Sequence, residues 1–446
     1  MNSRKTWIIP ALILTAAFLL RLLPALNIFD SPERFIRPDT PTYLEPAKAL
    51  LEGRFSGTGR APGYSLLAAS SMWISFKNHL SILALTGVLL STLTILPVYS
   101  AGKILFGRTA GLIAAALFAF NLTCAANAPM LLSDTLFGFF AACQFYFFIL
   151  FYRSKKSFDF LFCILFAVSG TLIRPINLPW ILPALCLLWL LKGVPVKKKL
   201  LNTLGALCIT GLLLFPWMAR NAAAGAPWCI DTNTGAMVHQ NGAMILAEAN
   251  GTSYEFEKVK IRKEYDTLFL DTRRFPDEKS REEWKMTRFR QIIAAHPWIA
   301  LKQHFNWHRI LLPDAPTFFE ITGVTKSDRG TMNVLAKEGI FAAVDHYFEG
   351  RWYLPALLLP LLAMTGITYM GTLLFLFRCL FHFKRRWYMW LLFLAFAEFY
   401  LFLPGPICAP RYQIPALPLM CVFAAGALIP AMRMIPFLRK RKVELK

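Results

Sequence analysis

LSDTLFGFFAACQFYFFILFY, residues 132–152, contains one charged side chain, Asp134, followed by a nearly unbroken apolar run. An α-helix rises about 1.5 Å per residue, so about 20 apolar residues cross the roughly 30 Å hydrocarbon core of a membrane. The stretch therefore predicts a membrane-spanning helix with an acid at its outer mouth.

Apolar blocks of similar length recur along the chain. Of its 446 residues, 56% are apolar and 17% are charged, which is too little polar surface for a soluble protein of this size. We therefore predict an all-α polytopic membrane protein, in which Arg174-Pro175 interrupts one pair of short spans. The first span lacks a cleavage site of small residues and is interpreted as an anchor. The ten candidate spans are 7–26, 80–101, 109–127, 132–152, 159–174, 176–192, 200–219, 352–377, 387–403 and 411–436.

Basic residues set the predicted orientation. The chain has 48 Lys and Arg against 26 Asp and Glu, a formal net charge of +22. A nucleic-acid partner would explain such an excess, but the clusters fall in alternate loops and at both termini, as the positive-inside bias predicts. Both termini are then cytoplasmic, and loops 27–79, 128–131, 220–351 and 404–410 lie outside. The basic clusters are Arg4-Lys5, Lys103/Arg108, Arg153/Lys155/Lys156, Lys197 to Lys199, Lys384 to Arg386 and Arg439 to Lys442.

The first outer loop contains a predicted helix along the membrane surface. Pro41 suits its first position and Gly53 its end. Asp39 and Tyr43 are four residues apart and project from one side of the first turn. Asp39 is either a helix cap or a functional acid, and spacing alone leaves both interpretations open.

The same loop continues with Arg60-Ala-Pro-Gly-Tyr64, which leads into another apolar stretch suited to a second surface helix or a re-entrant helix, 65–76. Arginine binds phosphate bidentately and stays charged at physiological pH. A cation in a Pro-Gly turn at the interface therefore suits a lipid phosphate. The alternative is that Arg60 binds no ligand and only snorkels, with its aliphatic part in the membrane and its guanidinium at the interface.

Further charged residues lie at the same predicted depth. Asp134 is costly at the mouth of its span unless it faces a cavity or a partner, or caps the helix. Arginines on the outer face run against the positive-inside bias. Two acids and four cations at one level therefore indicate an anionic ligand at the outer surface. The cations are Arg60, Arg174, Arg220 and Arg411.

The large outer loop mixes a turn-rich segment, 231–235, with a charged amphipathic run, 254–292. From topology, we expect this loop to cover the cavity and to select the acceptor. Its most suitable side chains for contacting a sugar are those of His239, Gln240 and Asn241.

Metal and redox chemistry have little support in the sequence. His304 and His308 have the i,i+4 spacing of metal ligands, but they also suit an ordinary interfacial helix that starts after Pro297. The nine cysteines form no zinc or redox pattern, and only Cys229 and Cys408 approach the outer face.

These motifs, taken in order, resemble the lipid-phosphosugar-dependent glycosyltransferases of the GT-C fold. The resemblance is to family 39 and its bacterial relatives, which include protein O-mannosyltransferases and the aminoarabinose transferase that modifies lipid A. Each motif is degenerate alone, whereas six in the right order and topology are fairly specific. The matching segments are Asp39-x-x-x-Tyr43, Arg60-Ala-Pro-Gly-Tyr64, Ser133-Asp134-Thr135-Leu136-Phe137, Leu172-Ile-Arg174-Pro175, Pro216-Trp217-x-x-Arg220-Asn221 and Pro410-Arg411-Tyr412-x-x-Pro415.

The resemblance implies an inverting enzyme of a bacterial inner membrane that takes a sugar from a polyprenyl-phosphate donor in the outer leaflet. Asp39 would be the general base for an acceptor hydroxyl, and Arg60 would neutralise the leaving phosphate. Asp134, the second site acid, is expected to orient Arg60 or the acceptor. The other expected donor ligands are Tyr43, Tyr64, Arg174, Arg220 and Arg411.

Three regions follow from this interpretation. Residues 1–219 form the N-terminal transmembrane catalytic module with the first outer loop, 220–351 form a large periplasmic loop, and 352–446 form the C-terminal transmembrane helices. No divalent metal or other cofactor is expected, because no Asp-x-Asp occurs in the first loop. The chain also departs from many family members, which have an Asp-Glu pair where Thr40 follows Asp39 here. The acceptor stays open between lipid A, another envelope glycan, which we favour, and a protein.

Other functions compete with this one. A transporter or flippase of lipid-linked sugars would favour polar residues near the bilayer midplane and a two-fold repeat, and neither is evident. A polymerase or ligase that uses diphosphate-linked oligosaccharide is the nearest rival among enzymes. A non-catalytic membrane scaffold would not require Asp39 or Arg60.

Overall fold

The structure, a computed structural model, describes residues 8–54, 57, 59–305, 313–324, 331, 334, 338–381, 397–402, 405–406 and 409–434. Within these ranges the chain is helical and contains no β-strand. The basic clusters at 4–5, 384–386 and 439–442 lie outside the described residues, as do His308, Cys408 and most of the predicted span 387–403.

The described helices are short where the sequence breaks its apolar runs and long elsewhere. They are α1 (Ile8–Ala25), α2 (Pro41–Leu51), α3 (Pro62–Ile74), α4 (His79–Leu93), α5 (Ile95–Phe106), α6 (Arg108–Ala119), α7 (Leu122–Asn127), α8 (Asp134–Ser154), α9 (Ser157–Thr171), α10 (Ile181–Leu190), α11 (Val196–Ala223), α12 (Asn233–Asn250), α13 (Tyr254–Leu268), α14 (Glu278–Ala295), α15 (Pro297–His304), α16 (Ala315–Ile321), α17 (Ile340–Phe348), α18 (Tyr353–Phe381) and α19 (Leu417–Met434).

Five described segments are long and apolar enough to cross a membrane, namely α1, α4 with α5, α8, α11 and α18. Shorter apolar helices, including α6 and α9, pack among them. Large apolar side chains on the outside of this bundle, such as Leu12, Leu212 and Leu357, are exposed. Such a surface suits lipid rather than water. The predicted multi-pass membrane protein is confirmed.

The predicted span 109–127 is not one helix, and that prediction is wrong. The helix α6 ends at Ala119, and the side chain of Asn121 accepts a hydrogen bond from the Cys124 amide at 3.1 Å, which starts α7. Asparagine is a preferred N-cap because its side-chain oxygen satisfies a free amide of the first turn. The break leaves carbonyl groups of α6 in need of another donor, which Arg21 supplies.

The first outer loop follows the prediction closely. The helix α2 starts at Pro41 and ends at Leu51, before Gly53 in a left-handed conformation with φ of +70°. The helix α3 starts at Pro62, three residues before the predicted start. Its Gly63 amide donates to the carbonyl of Leu172 at 2.7 Å. This contact joins the first outer loop to the outer end of α9.

The regular elements in the described part of the large outer loop are all helices, joined by turns. The predicted turn 231–235 is shorter than expected, because α12 begins at Asn233. The helices α12, α13 and α14 pack around a small core that includes Ala243, Ile261 and Tyr265.

Two polar contacts fasten this loop to the helix bundle. Arg37 donates to both carboxylate oxygens of Glu320, at 3.0 and 2.6 Å. Asn127 at the end of α7 donates to the buried carboxylate of Asp314 at 2.7 Å. The loop is therefore held over the end of the bundle where the predicted site residues lie.

Candidate active site

A cavity of about 460 Å³ opens at this end of the bundle, and it is called the main cavity below. Its wall is built from the start of α2, the segment before α3, the turn after α9, the start of α12 and the 3-10 turn Pro410–Gln413. Its polar and charged lining residues are Asp39, Tyr43, Arg60, Arg174, Asp231, Asn233, Gln240, Asn241, Tyr400, Arg411 and Tyr412.

Asp39 is held between two arginines on this wall. Its Oδ1 accepts from Arg60 Nη2 at 3.0 Å, and its Oδ2 accepts from Arg411 Nη2 at 3.0 Å. The Asp39 side chain is 42% exposed, whereas those of Arg60 and Arg411 are 20% and 21% exposed. The carboxylate is thus both reachable from the cavity and fixed in direction.

Contacts within the first outer loop position Arg60. Its Nε donates to Thr42 Oγ1 at 3.0 Å, and its guanidinium carbon lies 5.0 Å from the centroid of the Tyr43 ring. The Tyr43 hydroxyl lies 3.1 Å from Ser133 Oγ, just before α8. A planar guanidinium can hold a hydrogen bond and an aromatic contact at once. The helix α2 therefore fixes the direction of Arg60.

Asp134 lies behind this wall and is 2% exposed. Its Oδ1 is 2.8 Å from Arg174 Nη2, and its Oδ2 is 3.9 Å from Arg411 Nε. It does not line the main cavity. The prediction that Asp134 orients Arg60 or the acceptor is therefore corrected, because it pairs with Arg174 and Arg411. A buried carboxylate needs such partners to stay charged.

The five groups form a continuous series of alternating charges, from Arg60 through Asp39, Arg411 and Asp134 to Arg174. Three guanidiniums against two carboxylates leave one net positive charge, which suits an anionic ligand. Both carboxylates of this series are paired with arginine. No group of three metal-ligating side chains lies together in the described part of the chain.

Two predicted donor ligands lie elsewhere. Arg220 does not line the main cavity. It donates to the Gly57 carbonyl at 2.8 Å and lies over the Trp217 ring, with 4.9 Å between guanidinium carbon and ring centroid. Tyr64 is buried behind Tyr43, with the ring centroids 5.0 Å apart. Burial raises the pKa of the Tyr64 phenol well above its ordinary value. Arg220 and Tyr64 therefore lie behind the wall of the main cavity, where they contact other residues, and do not line the cavity themselves.

Other expectations for the outer loop are partly met. Gln240 and Asn241 line the main cavity, whereas the His239 ring packs against Tyr265 with 5.5 Å between centroids. His304 ends α15, and its ring contacts Phe305.

The sequence reasoning did not single out four residues of the site. Asp231, Asn233 and Tyr412 line the main cavity, and Ser133 accepts from Arg174 Nε at 3.1 Å. Tyr412 and Ser133 stand beside Arg411 and Asp134 in the quoted motifs, which was the available signal.

Comparisons with known proteins bear on the fold of the chain. Residues 59–219 match the family model described as dolichyl-phosphate-mannose-protein mannosyltransferase. No curated protein matches the chain in sequence. The oligosaccharyltransferase of Archaeoglobus fulgidus in its apo form superimposes with a TM-score of 0.54 at 16% identity, covering 100% of this chain and 53% of that one. The chain has the GT-C fold.

A second solved structure has the same fold. It is the archaeal oligosaccharyltransferase AglB from Archaeoglobus fulgidus in complex with an inhibitory peptide and a dolichol-phosphate. Its TM-score is 0.53 at 17% identity, and the match covers 98% of this chain and 52% of that one. The predicted resemblance is confirmed for the fold over the whole chain, and for the mannosyltransferase model over residues 59–219. This GT-C chain spans about half the length of the solved structures that it matches.

Proposed function

We propose that the chain is an inverting glycosyltransferase that moves a sugar from a polyprenyl-phosphate donor to an acceptor hydroxyl, with Asp39 as the general base. The observation that carries the proposal is the Asp39 carboxylate on the cavity wall between Arg60 and Arg411. This geometry supports the proposal, because a carboxylate that can accept a proton lies 3.0 Å from two cations that suit a phosphate.

The arginines would bind the donor phosphate. Charge-assisted hydrogen bonds from guanidinium to phosphate are among the stronger polar contacts in proteins. Arg60 and Arg411 each contact Asp39 and also face the cavity. Their guanidinium N–H groups can therefore donate to a phosphate oxygen as well as to Asp39. Arg174 lines the same wall and is held from behind by Asp134.

The transfer is a single displacement. The acceptor oxygen forms a bond to the anomeric carbon while the bond from that carbon to the phosphate oxygen breaks. The acceptor proton moves to Asp39, and the lipid leaves as polyprenyl phosphate with the bonding electron pair. Positioned general bases contribute about 10²–10⁴-fold to such rates. The developing negative charge on phosphate is stabilised by cations already in place, so no general acid is required.

Partial matches support this donor class. The family model over residues 59–219 is described by a dolichyl-phosphate-mannose substrate, and the AglB structure contains a dolichol-phosphate. The nearest rival is transfer of a diphosphate-linked oligosaccharide. It is favoured by one observation, namely that the solved structures with this fold are oligosaccharyltransferases.

We also propose a location and an orientation. The chain would lie in a bacterial inner membrane with both termini in the cytoplasm and the main cavity on the periplasmic side. The proposed partners are the lipid-linked donor, a lipid, glycan or protein acceptor, and the membrane, without metal or nucleic acid. A reporter enzyme that is active only in the periplasm can be fused to each terminus. Activity of the reporter at either terminus would contradict the proposed orientation.

Purified chain in nanodiscs, given radiolabelled donors together with methyl glycosides and a serine-containing peptide as acceptors, tests the reaction. The donors are polyprenyl-phosphate hexose, polyprenyl-phosphate pentose and a polyprenyl-diphosphate oligosaccharide. We expect release of polyprenyl phosphate with an inverted product by NMR, also in the presence of a chelator. Release of polyprenyl diphosphate would favour the rival enzyme, and movement of intact donor across the bilayer without transfer would favour a flippase.

A further inference from the structure

A second cavity of about 370 Å³ lies beside the main cavity, between α2, α3 and α11. Arg60 and Asn233 line both cavities, whereas Arg174 and Arg411 line only the main one. The Arg60 guanidinium therefore forms a shared wall. A molecule in the second cavity would meet Arg60 without meeting the other two arginines of the site.

An aromatic side chain in the second cavity is rigidly held. Trp217 lines the cavity, and its indole Nε1 donates to the Ile230 carbonyl at 2.8 Å. The Arg220 guanidinium carbon lies 4.9 Å from the ring centroid. A fixed indole offers an apolar surface to the C–H groups of a pyranose ring at little cost in side-chain entropy.

Polar groups stand near this ring. Glu45 and Thr42 line the same cavity, and each can accept hydrogen bonds from sugar hydroxyls. Ser65 also lines it, is 2% exposed, and has a hydroxyl oxygen without a hydrogen-bond partner among the described residues. Buried polar atoms without partners are uncommon in folded proteins. A ligand hydroxyl would complete this one.

These groups do not suit the donor lipid. The Glu45 carboxylate repels a phosphate, and burying a carboxylate and a hydroxyl against a hydrocarbon chain is costly. In an inverting displacement the acceptor and the leaving phosphate stand on opposite sides of the anomeric carbon. Arg60 also contacts Asp39, the proposed base for the acceptor hydroxyl, at 3.0 Å. A ligand in the second cavity therefore approaches the base from beside Arg60 and stays away from the phosphate-binding Arg174 and Arg411, which fits the acceptor.

We infer that the second cavity binds a sugar ring of the acceptor, so that the acceptor is a glycan or glycolipid and not a peptide. Glu45 and Ser65 form hydrogen bonds with the hydroxyls of this sugar, and the indole of Trp217 packs against its C–H face. The inference rests on the proposed transfer reaction, and it adds the class of acceptor and the residues that select it.

Kinetics with Glu45→Gln and Trp217→Phe test the assignment in the full chain in nanodiscs. The acceptors are methyl glucoside, methyl mannoside, methyl N-acetylglucosaminide and a serine-containing peptide. We expect transfer to a glycoside, with its KM raised roughly tenfold or more in both variants, because each loses a ligand contact. The donor KM and kcat should stay near wild type. Glu33→Gln and Trp228→Phe, exposed positions outside both cavities, are the matched controls.

Three outcomes overturn the inference. They are transfer to the peptide but to no glycoside, an unchanged glycoside KM in both variants, and a raised donor KM, which would assign the cavity to the lipid. Failure of the proposed function looks different, because wild type would then release no polyprenyl phosphate from any donor.

Binding without turnover gives a separate readout in that case. Saturation-transfer NMR of the same methyl glycosides on the nanodisc protein should show contact in wild type and a weaker signal in Glu45→Gln. Equal signals, or none in wild type, would contradict the sugar subsite whatever the enzyme activity.

Discussion

Arg21 in the helix bundle and the partly exposed arginines of the main cavity have different kinds of partner. Arg21 is fully buried in α1 and donates to the carbonyls of Ala17, Ala119 and Phe118 and to Ser91 Oγ, at 2.8 to 3.2 Å. Arg60 and Arg411 instead contact a carboxylate that faces a cavity. Arg21 thus completes the backbone hydrogen bonding where α6 ends. The arginines of the main cavity instead present guanidinium N–H groups to a space that a ligand can occupy. The partners, and not the residue type, separate the structural role from the functional one.

Among substitutions of the compared arginines and of the residues around them, the largest effect on activity should come from Arg60→Ala. Removing one preorganised donor to a developing negative charge typically costs about 10²–10³-fold in rate. We expect that loss in polyprenyl phosphate release, with little change in melting temperature, because the side chain is partly exposed. Arg54→Ala, at an exposed ion pair with Glu52 in the same loop, is the matched control and should be silent.

Arg21→Met should show the opposite pattern. It leaves the Ala119 carbonyl without its donor, which costs roughly 1–3 kcal/mol for an unsatisfied buried group, whereas the Phe118 carbonyl keeps the Asn121 amide as a donor. We expect a lower melting temperature in detergent while the activity per folded molecule stays close to wild type. If Arg21→Met melts at the wild-type temperature but has lost activity, Arg21 has a functional role and not a structural one.

Gly63→Ala should perturb the site from outside the cavity. A Cβ there would lie 2.7 Å from Ile173 Cγ1 and 2.8 Å from the Leu172 carbonyl oxygen, so the start of α3 must move. This shift changes the position of Arg60 relative to Arg174. We expect roughly a tenfold loss of kcat/KM, less than the roughly 10²-fold that a 1 Å misplacement can cost.

The helical control for that variant is Gly211→Ala. Nothing lies within 4 Å of the Cβ that it would add, and alanine favours the helix. Activity should be unchanged there. If both glycine variants lose activity equally, close packing at Gly63 is not the cause.

The smallest effect should come from the bridge between Arg37 and Glu320, which fastens the outer loop away from the cavity. Its side chains are 19% and 17% exposed, so water screens the pair only partly. A double-mutant cycle with Arg37→Ala and Glu320→Gln should give a coupling free energy of about 1 kcal/mol in stability. A coupling near zero would mean that the bridge does not hold the loop.

The sequence predicted local features better than long-range pairs. The start of α2 at Pro41, the interruption at Arg174-Pro175 and the shared site of Asp39 with Arg60 follow from short-range signals. Such signals are turn chemistry and apolar length. The contact between Asp39 and Arg411 joins residues 372 positions apart, and only the packed fold reveals it.

The remaining differences have the same origin. Asp134 pairs with Arg174 rather than Arg60, because α9 brings Arg174 against the start of α8. Arg21 went unnoticed because most of its partners are carbonyl groups, which every sequence contains. The span 109–127 was predicted as one helix because its composition is apolar, although Asn121 breaks it.

The most direct test of the account is the rate of polyprenyl phosphate release by Asp39→Asn at saturating donor and acceptor. The substitution keeps the size of the side chain and removes its ability to take a proton. We expect the rate to fall by at least about 10²-fold while donor binding is retained, since Arg174 and Arg411 still face the cavity. An Asp39→Asn enzyme that turns over at the wild-type rate would contradict the assignment of Asp39 as the general base.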